Sequence, residues 1–180
     1  MKQHTFLAGL ASALLLASAS AQHSHSGHGA GQDHKHSPYA GMQARTIKAL
    51  SDQDIADLRA GKGMSLALPA ELHGYPGPSH VLELAEPLKL SEQQRRQTQT
   101  LHTQMQEEAR AAGEALITAE TALDTLFKNR QIDARLLSEA TSQSAMAQGR
   151  LRETHLRYHL QMMDVLTDEQ VELYGRLRGY

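Results

Sequence analysis

The 180 residues of this chain contain no cysteine and no tryptophan, and phenylalanine occurs only twice. Without a thiol, disulfide stapling, thiolate metal ligands and a cysteine nucleophile are excluded together. With Phe127 the one phenylalanine beyond residue 6, a core has to be built from Leu, Ala, Met and Ile. That composition suits an elongated helical body better than a thick globule. Charge of one sign is not in excess. The formal net charge is −2, spread without long blocks, and gives no reason to expect nucleic acid as a partner. Enzyme signatures are missing as well: there is no Gly-rich phosphate loop, no His-Glu-x-x-His and no Ser/His/Asp ordering signal, so no catalytic activity is expected.

What is present begins with an export signal. Lys2 supplies the positive end, the apolar run from Phe6 to Ala17 is shorter than the roughly 20 residues a membrane span wants, and Ala19-Ser20-Ala21 is a small-residue cleavage site. Residues 1–21 therefore read as a signal peptide, with the mature chain starting near Gln22 in the periplasm; a retained membrane anchor is the alternative. Removing the signal takes away Lys2 and no acid, leaving 17 basic against 20 acidic side chains. Residues 22–38 follow, almost without apolar side chains, and read as a disordered tail. Five imidazoles, His23, His25, His28, His34 and His36, lie on it within reach of one another. Neutral imidazole suits Zn, Cu or Ni, although nothing preorganises these ligands, and a merely solvating tail is the competing reading.

Residues 39–78 read as a short helix plus a connector. Ser51 has the position of an N-cap, and Gly61-Lys62-Gly63 is a stop. Residues 64–79, with Pro69, Gly74, Pro76, Gly77 and Pro78, form a turn-rich stretch that cannot be continuous helix. Another helix is expected from Ser79 until Pro87 ends it, with His80 and Glu83 on one face, more simply as solvated surface groups than as ligands.

Residues 79–180 carry the main domain. No proline follows Pro87. Ser91, with Gln94 three positions on, is a capping box, and Leu101, Met105, Ala109, Ala112, Leu116, Ala119, Leu123 and Leu126 form one apolar stripe along a helix of about 37 residues, with Glu108 and Glu120 on its wet side. Lys128 to Gln131 breaks the pattern, Asp133 caps the return helix, and its stripe runs Leu137, Ala140, Ser144, Ala147, Leu151, His155, Tyr158, Met162 and Val165. Leu156, Leu160 and Met163 add a second apolar side that needs covering, either by flanking helices or by a second subunit, and a dimer is favoured. Thr167 caps a final helix.

One face of the return helix has chemistry of its own. His155, His159 and Met163 recur every four residues, so on a helix turning about 100° per residue they project from one side, about 6 Å apart along the axis. That spacing lets one helix offer two or three ligands to a soft or borderline metal ion. Set against this, a histidine on an apolar stripe also serves as a core residue, and methionine also serves as packing.

Leu90-Ser91-Glu92-Gln93-Gln94 and Leu166-Thr167-Asp168-Glu169-Gln170 bracket the helical hairpin. With Leu90, Ser91 and Gln94 matched by Leu166, Thr167 and Gln170 behind an export signal, the chain resembles the Spy/CpxP family with its paired L-T-x-x-Q signatures, which includes ZraP- and CnrX-type periplasmic heavy-metal-responsive proteins. The resemblance covers about residues 79–180. It implies an all-α protein, a long antiparallel helical hairpin with short flanking helices, paired as a cradle-like dimer and without catalytic activity. Members either hold unfolded clients without ATP or bind metal and report envelope stress to a membrane-bound partner. In the metal-binding branch, ligands come from the first hairpin helix and from a His-x-x-x-Met pair before the second signature. Carried over, that points to His159 and Met163, with His155 one turn earlier and His102 opposite. His80 and the tail histidines are further candidate ligands for Cu, Ni or Zn.

Overall fold

The computed structural model describes residues 37–180, and the expected signal peptide and the tail imidazoles from His23 to His36 lie outside the described residues. Six α-helices follow a 3₁₀ turn at Met42–Ala44: α1 Asp52–Ala60, α2 Leu68–Leu72, α3 Pro78–Glu83, α4 Glu92–Lys128, α5 Ala134–Met163 and α6 Asp168–Arg178. No strand occurs among the described residues.

Side chains fix where these helices begin. Ser51, Ser91 and Thr167 each accept the backbone N–H three residues on, and Asp54, Gln94 and Gln170 reach back to the cap N–H, so α1, α4 and α6 all start on complete capping boxes. Asp133 starts α5 by accepting the Leu136 N–H at 2.7 Å. Two starts differ from the sequence expectation. The connector over 64–79 contains α2, because Pro69 falls in its first turn, where a missing N–H costs nothing. For the same reason α3 begins at Pro78 rather than Ser79, with Gly77 as its cap residue and no side-chain cap bond.

The antiparallel α4–α5 hairpin is the frame, and two apolar cores form on it. One gathers Val81, Ala85, Leu88 and Leu90 with Met162, Leu166 and Tyr174, which joins α3 and α6 to the end of the hairpin. The other gathers Ile47 and Leu58 with Ala109, Leu116, Ile117 and Leu151, which lays α1 and the segment before it along the hairpin's middle. The stretch from Ile47 to Leu66 is thus packed on the hairpin. Gly113 permits the contact: a Cβ there would stand 2.7 Å from the Leu58 carbonyl oxygen. Each fully buried Leu in these cores contributes about 1.5–3 kcal/mol.

Some expected faces are arranged differently. Leu137, on the expected stripe of the return helix, is 40% exposed, since the chain beside it turns away at the hairpin tip. Glu120 is half-buried and accepts the Ser144 hydroxyl, and Glu108 accepts the Tyr158 hydroxyl at 2.8 Å, so neither faces only water. Helices α3 and α6 cover the Met162 side of α5. Leu160, on its other side, stays 58% exposed within the single chain.

Candidate functional site

A cleft of about 380 Å³ opens where α2, the Gly63–Ser65 turn and the start of α3 meet α5. Met105 of α4 and Arg178 and Tyr180 from the end of α6 complete its lining. His155 and His159, one turn apart on α5, both reach it and are both buried, at 2% and 7% exposure.

The two imidazoles are held differently. His159 places Nδ1 2.7 Å from the Tyr75 carbonyl oxygen. A carbonyl only accepts, so Nδ1 donates, and in the neutral ring Nε2 keeps its lone pair. The ring lies so close to Gly77 that a Cβ there would stand 3.0 Å from Nε2 and 2.8 Å from Cε1. His155 sits beside the Lys62 carbonyl and near Gly63, and its Nε2 is buried with no hydrogen-bond partner among the described residues. Burial and the neighbouring His159 hold the His155 pKa below the usual imidazole value, against a smaller upward pull from the Lys62 carbonyl. The neutral, ligand-competent ring is the favoured form.

Facing them is Glu71 of α2, 5% exposed. Its Oε1 accepts the Tyr174 hydroxyl, His80 Nδ1 at 3.1 Å, the Tyr180 hydroxyl at 3.2 Å and Arg178 Nε at 3.3 Å. Its Oε2 is buried with no hydrogen-bond partner among the described residues and lies 3.8 Å from His159 Nδ1. Burial alone would raise the Glu71 pKa. The Tyr174 hydrogen bond first, and then the neighbouring His80, His159 and Arg178 side chains, outweigh it and hold the carboxyl below its usual range. Tyr174 is pushed up by burial and by that carboxylate, so it remains a donor.

Of the candidate ligands, the fold brings His155, His159 and His80 to this cleft, and Met163 and His102 do not line it. His80 meets Glu71 there. Met105, with the more exposed Met64 also in the lining, supplies a buried thioether to the cleft, and Glu71 supplies the acid. Neither was legible as a site residue: Met105 belongs to an apolar stripe, and the partners of Glu71 in α5 and α6 lie more than 80 positions away in sequence.

Paired imidazoles, a carboxylate and a thioether form a donor set that suits Cu, Ni or Zn. Unpaired atoms on both His155 and Glu71 fit that role. Among the described residues no three His, Asp or Glu side chains stand together at ion-holding spacing, so gathering them around an ion requires side-chain movement. Comparison with protein-family models, curated proteins and solved structures gives no match to this chain.

Proposed function

We propose that this protein is a periplasmic metal-binding protein of the Spy/CpxP type that acts in heavy-metal resistance or sensing or in the envelope stress response, with His155 and His159 as the central ligands for Cu, Ni or Zn. One observation carries the reading: His155 Nε2 and Glu71 Oε2 are both buried without a hydrogen-bond partner among the described residues, on two side chains that line a single cleft. Leaving a buried acceptor without a donor costs about 1–3 kcal/mol, and a cation bound between such atoms removes that penalty. The depressed His155 pKa supports it, because only a neutral imidazole ligates. When bound, the ion would supply a positive centre to satisfy these lone pairs; the chain supplies tautomer control through Tyr75 and a buried negative charge through Glu71.

Calorimetric titration of Cu, Ni and Zn into the mature chain and into protein lacking residues 22–38 tests this. A single site that survives loss of the tail, and that disappears in His155→Ala/His159→Ala with helicity unchanged, is the expected result. Tail-dependent binding alone refutes it.

A second reading, an ATP-independent holdase for unfolded envelope proteins, draws on a separate feature. Farther along the hairpin, α4 and α5 carry a groove of about 530 Å³ whose lining includes Ala112, Ala115, Ala119, Ala122, Met146 and Arg150, and Met146 is 54% exposed. Adaptable methionine and small residues suit variable apolar clients. Suppression of aggregation of an unfolded client by protein that binds no metal would favour this role. Pairing through the uncovered Leu160 side belongs to both readings, and sedimentation of Leu160→Glu checks it.

A further inference from the structure

Among the residues lining the cleft, Glu71 is the only acid and Arg178 the only Lys or Arg, so one buried carboxylate balances one guanidinium. A divalent ion that takes Glu71 brings twice the charge of the guanidinium into the same space, and a single carboxylate cannot balance both. The two partners are not equally free to leave. Glu71 is buried, and Tyr174, itself fully buried, holds its Oε1. The Arg178 side chain is 30% exposed, and its guanidinium lies 5.8 Å from the ring centre of Tyr180, which also reaches Glu71 from the exposed end of α6.

We propose that Arg178 is a resident counter-ion that a metal ion displaces from Glu71, so that filling the cleft is coupled to release of the segment from Arg178 to Tyr180. The inference rests on the metal-binding reading of this cleft and adds its regulation. Tyr174 keeps the carboxylate in place, while Arg178 and Tyr180 swing outward together. The linkage is reciprocal: whatever holds Arg178 on Glu71 weakens metal binding, and metal loosens the 178–180 segment. It also accounts for the dispersed donor set, since Glu71 Oε1 is turned to its four hydrogen-bond donors rather than to His155 and His159.

The test uses the full mature chain with Zn²⁺. Each variant is titrated beside its own His155→Ala/His159→Ala counterpart, so that the difference isolates the cleft from the tail. Arg178→Ala is expected to bind Zn²⁺ at the cleft about tenfold tighter than the parent, within the usual range of coupling between sites. Arg178→Lys should sit between the two, and Glu71→Gln should cancel the gain. Hydrogen exchange over residues 171–180 of the parent should speed up on Zn²⁺ addition. Equal or weaker binding by Arg178→Ala, or unchanged or slowed exchange while the cleft is filled, overturns the displacement and leaves the metal site standing. Absence of any cleft-dependent Zn²⁺ binding in every chain overturns both.

Discussion

Gln94 and Gln170 hold each other by their side-chain amides: Gln94 Nε2 donates to Gln170 Oε1 at 2.7 Å, and Gln170 Nε2 donates back to Gln94 Oε1 at 3.2 Å. Each oxygen also accepts the N–H of its own cap residue, Ser91 or Thr167, at 3.0 Å. Each nitrogen also reaches a backbone carbonyl beside the other helix start, Val165 at 2.9 Å or Leu88 at 3.1 Å. The two motif glutamines therefore do more than begin α4 and α6. They tie the two helix starts together beside the core of Val81, Met162 and Tyr174.

Gln94→Ala leaves Gln170 Nε2 with the Leu88 carbonyl alone and strands the Val165 carbonyl, and is expected to cost about 1–3 kcal/mol in urea denaturation. Adding Gln170→Ala should cost less than a second full penalty, because the pair is already broken. Strict additivity would show that the amides act independently. Gln93→Ala, on the exposed side of the same turn, should be nearly silent.

Two glycines inside the long helices should respond with opposite sign. Alanine at an exposed helix-interior glycine stabilises by about 0.5–1 kcal/mol through helix propensity. Gly149 has nothing within 4 Å of an added Cβ and should show that gain. Gly113 should not, since its new Cβ would press on the Leu58 backbone at 2.7 Å and lift α1 off the hairpin. Thermal melting of the two variants decides, and equal shifts would contradict the close α1–α4 contact.

Within the metal reading, Met105 is the buried thioether of the cleft, while Met64 in the same lining is 38% exposed. Replacing Met105 with leucine keeps volume and hydrophobicity but removes the sulfur, so Cu(I) affinity should fall while fold stability changes by less than about 1.5 kcal/mol. Met163→Leu should leave Cu(I) affinity unchanged, as Met163 does not line the cleft. The reverse pattern in a competitive chelator titration would return the site to the ligands that the family resemblance implies.

Alkaline pH offers a test away from the cleft. Burial first, and then the Glu108 carboxylate, push the Tyr158 hydroxyl from 10.0 to about 12. A group whose folded value is raised stabilises fully below its unfolded value and loses that contribution as pH climbs. Stability should thus decline from about pH 10 through about pH 12 on account of Tyr158. Glu108→Gln should lower the ionisation midpoint measured by ultraviolet absorbance. An unchanged midpoint would remove Glu108 as a cause.

The hairpin is legible in the sequence because local signals agree with one another. Ser91, Asp133 and Thr167 mark helix starts, the stripe from Leu101 to Leu126 sets the period, and the break at Lys128–Gln131 separates the limbs. Ser51 and the stop at Gly61 place α1 in the same way. The site is legible where it shares a helix, as with His155 and His159, and in His80 as a lone candidate ligand. Its other half comes from a five-residue helix whose start relies on Pro69 and whose important side chain, Glu71, shows no periodicity of its own. Nor does local sequence reveal that Tyr75 offers its carbonyl to His159, or that Gly77 is bare to make room for the ring, because both depend on how the connector lies against α5. The Leu160 side is a different case: its apolar character is plain in the sequence, and among the described residues it stays exposed.

The lack of tryptophan has an optical consequence. Intrinsic fluorescence is dominated by five tyrosines, and two of them, Tyr174 and Tyr180, place their hydroxyls on the Glu71 carboxylate. An excited phenol bonded to a carboxylate is quenched by proton transfer. Emission from this chain therefore carries a label-free readout of whether Glu71 keeps its hydroxyl partners, and brightening on addition of an ion would signal that the carboxylate had let a phenol go.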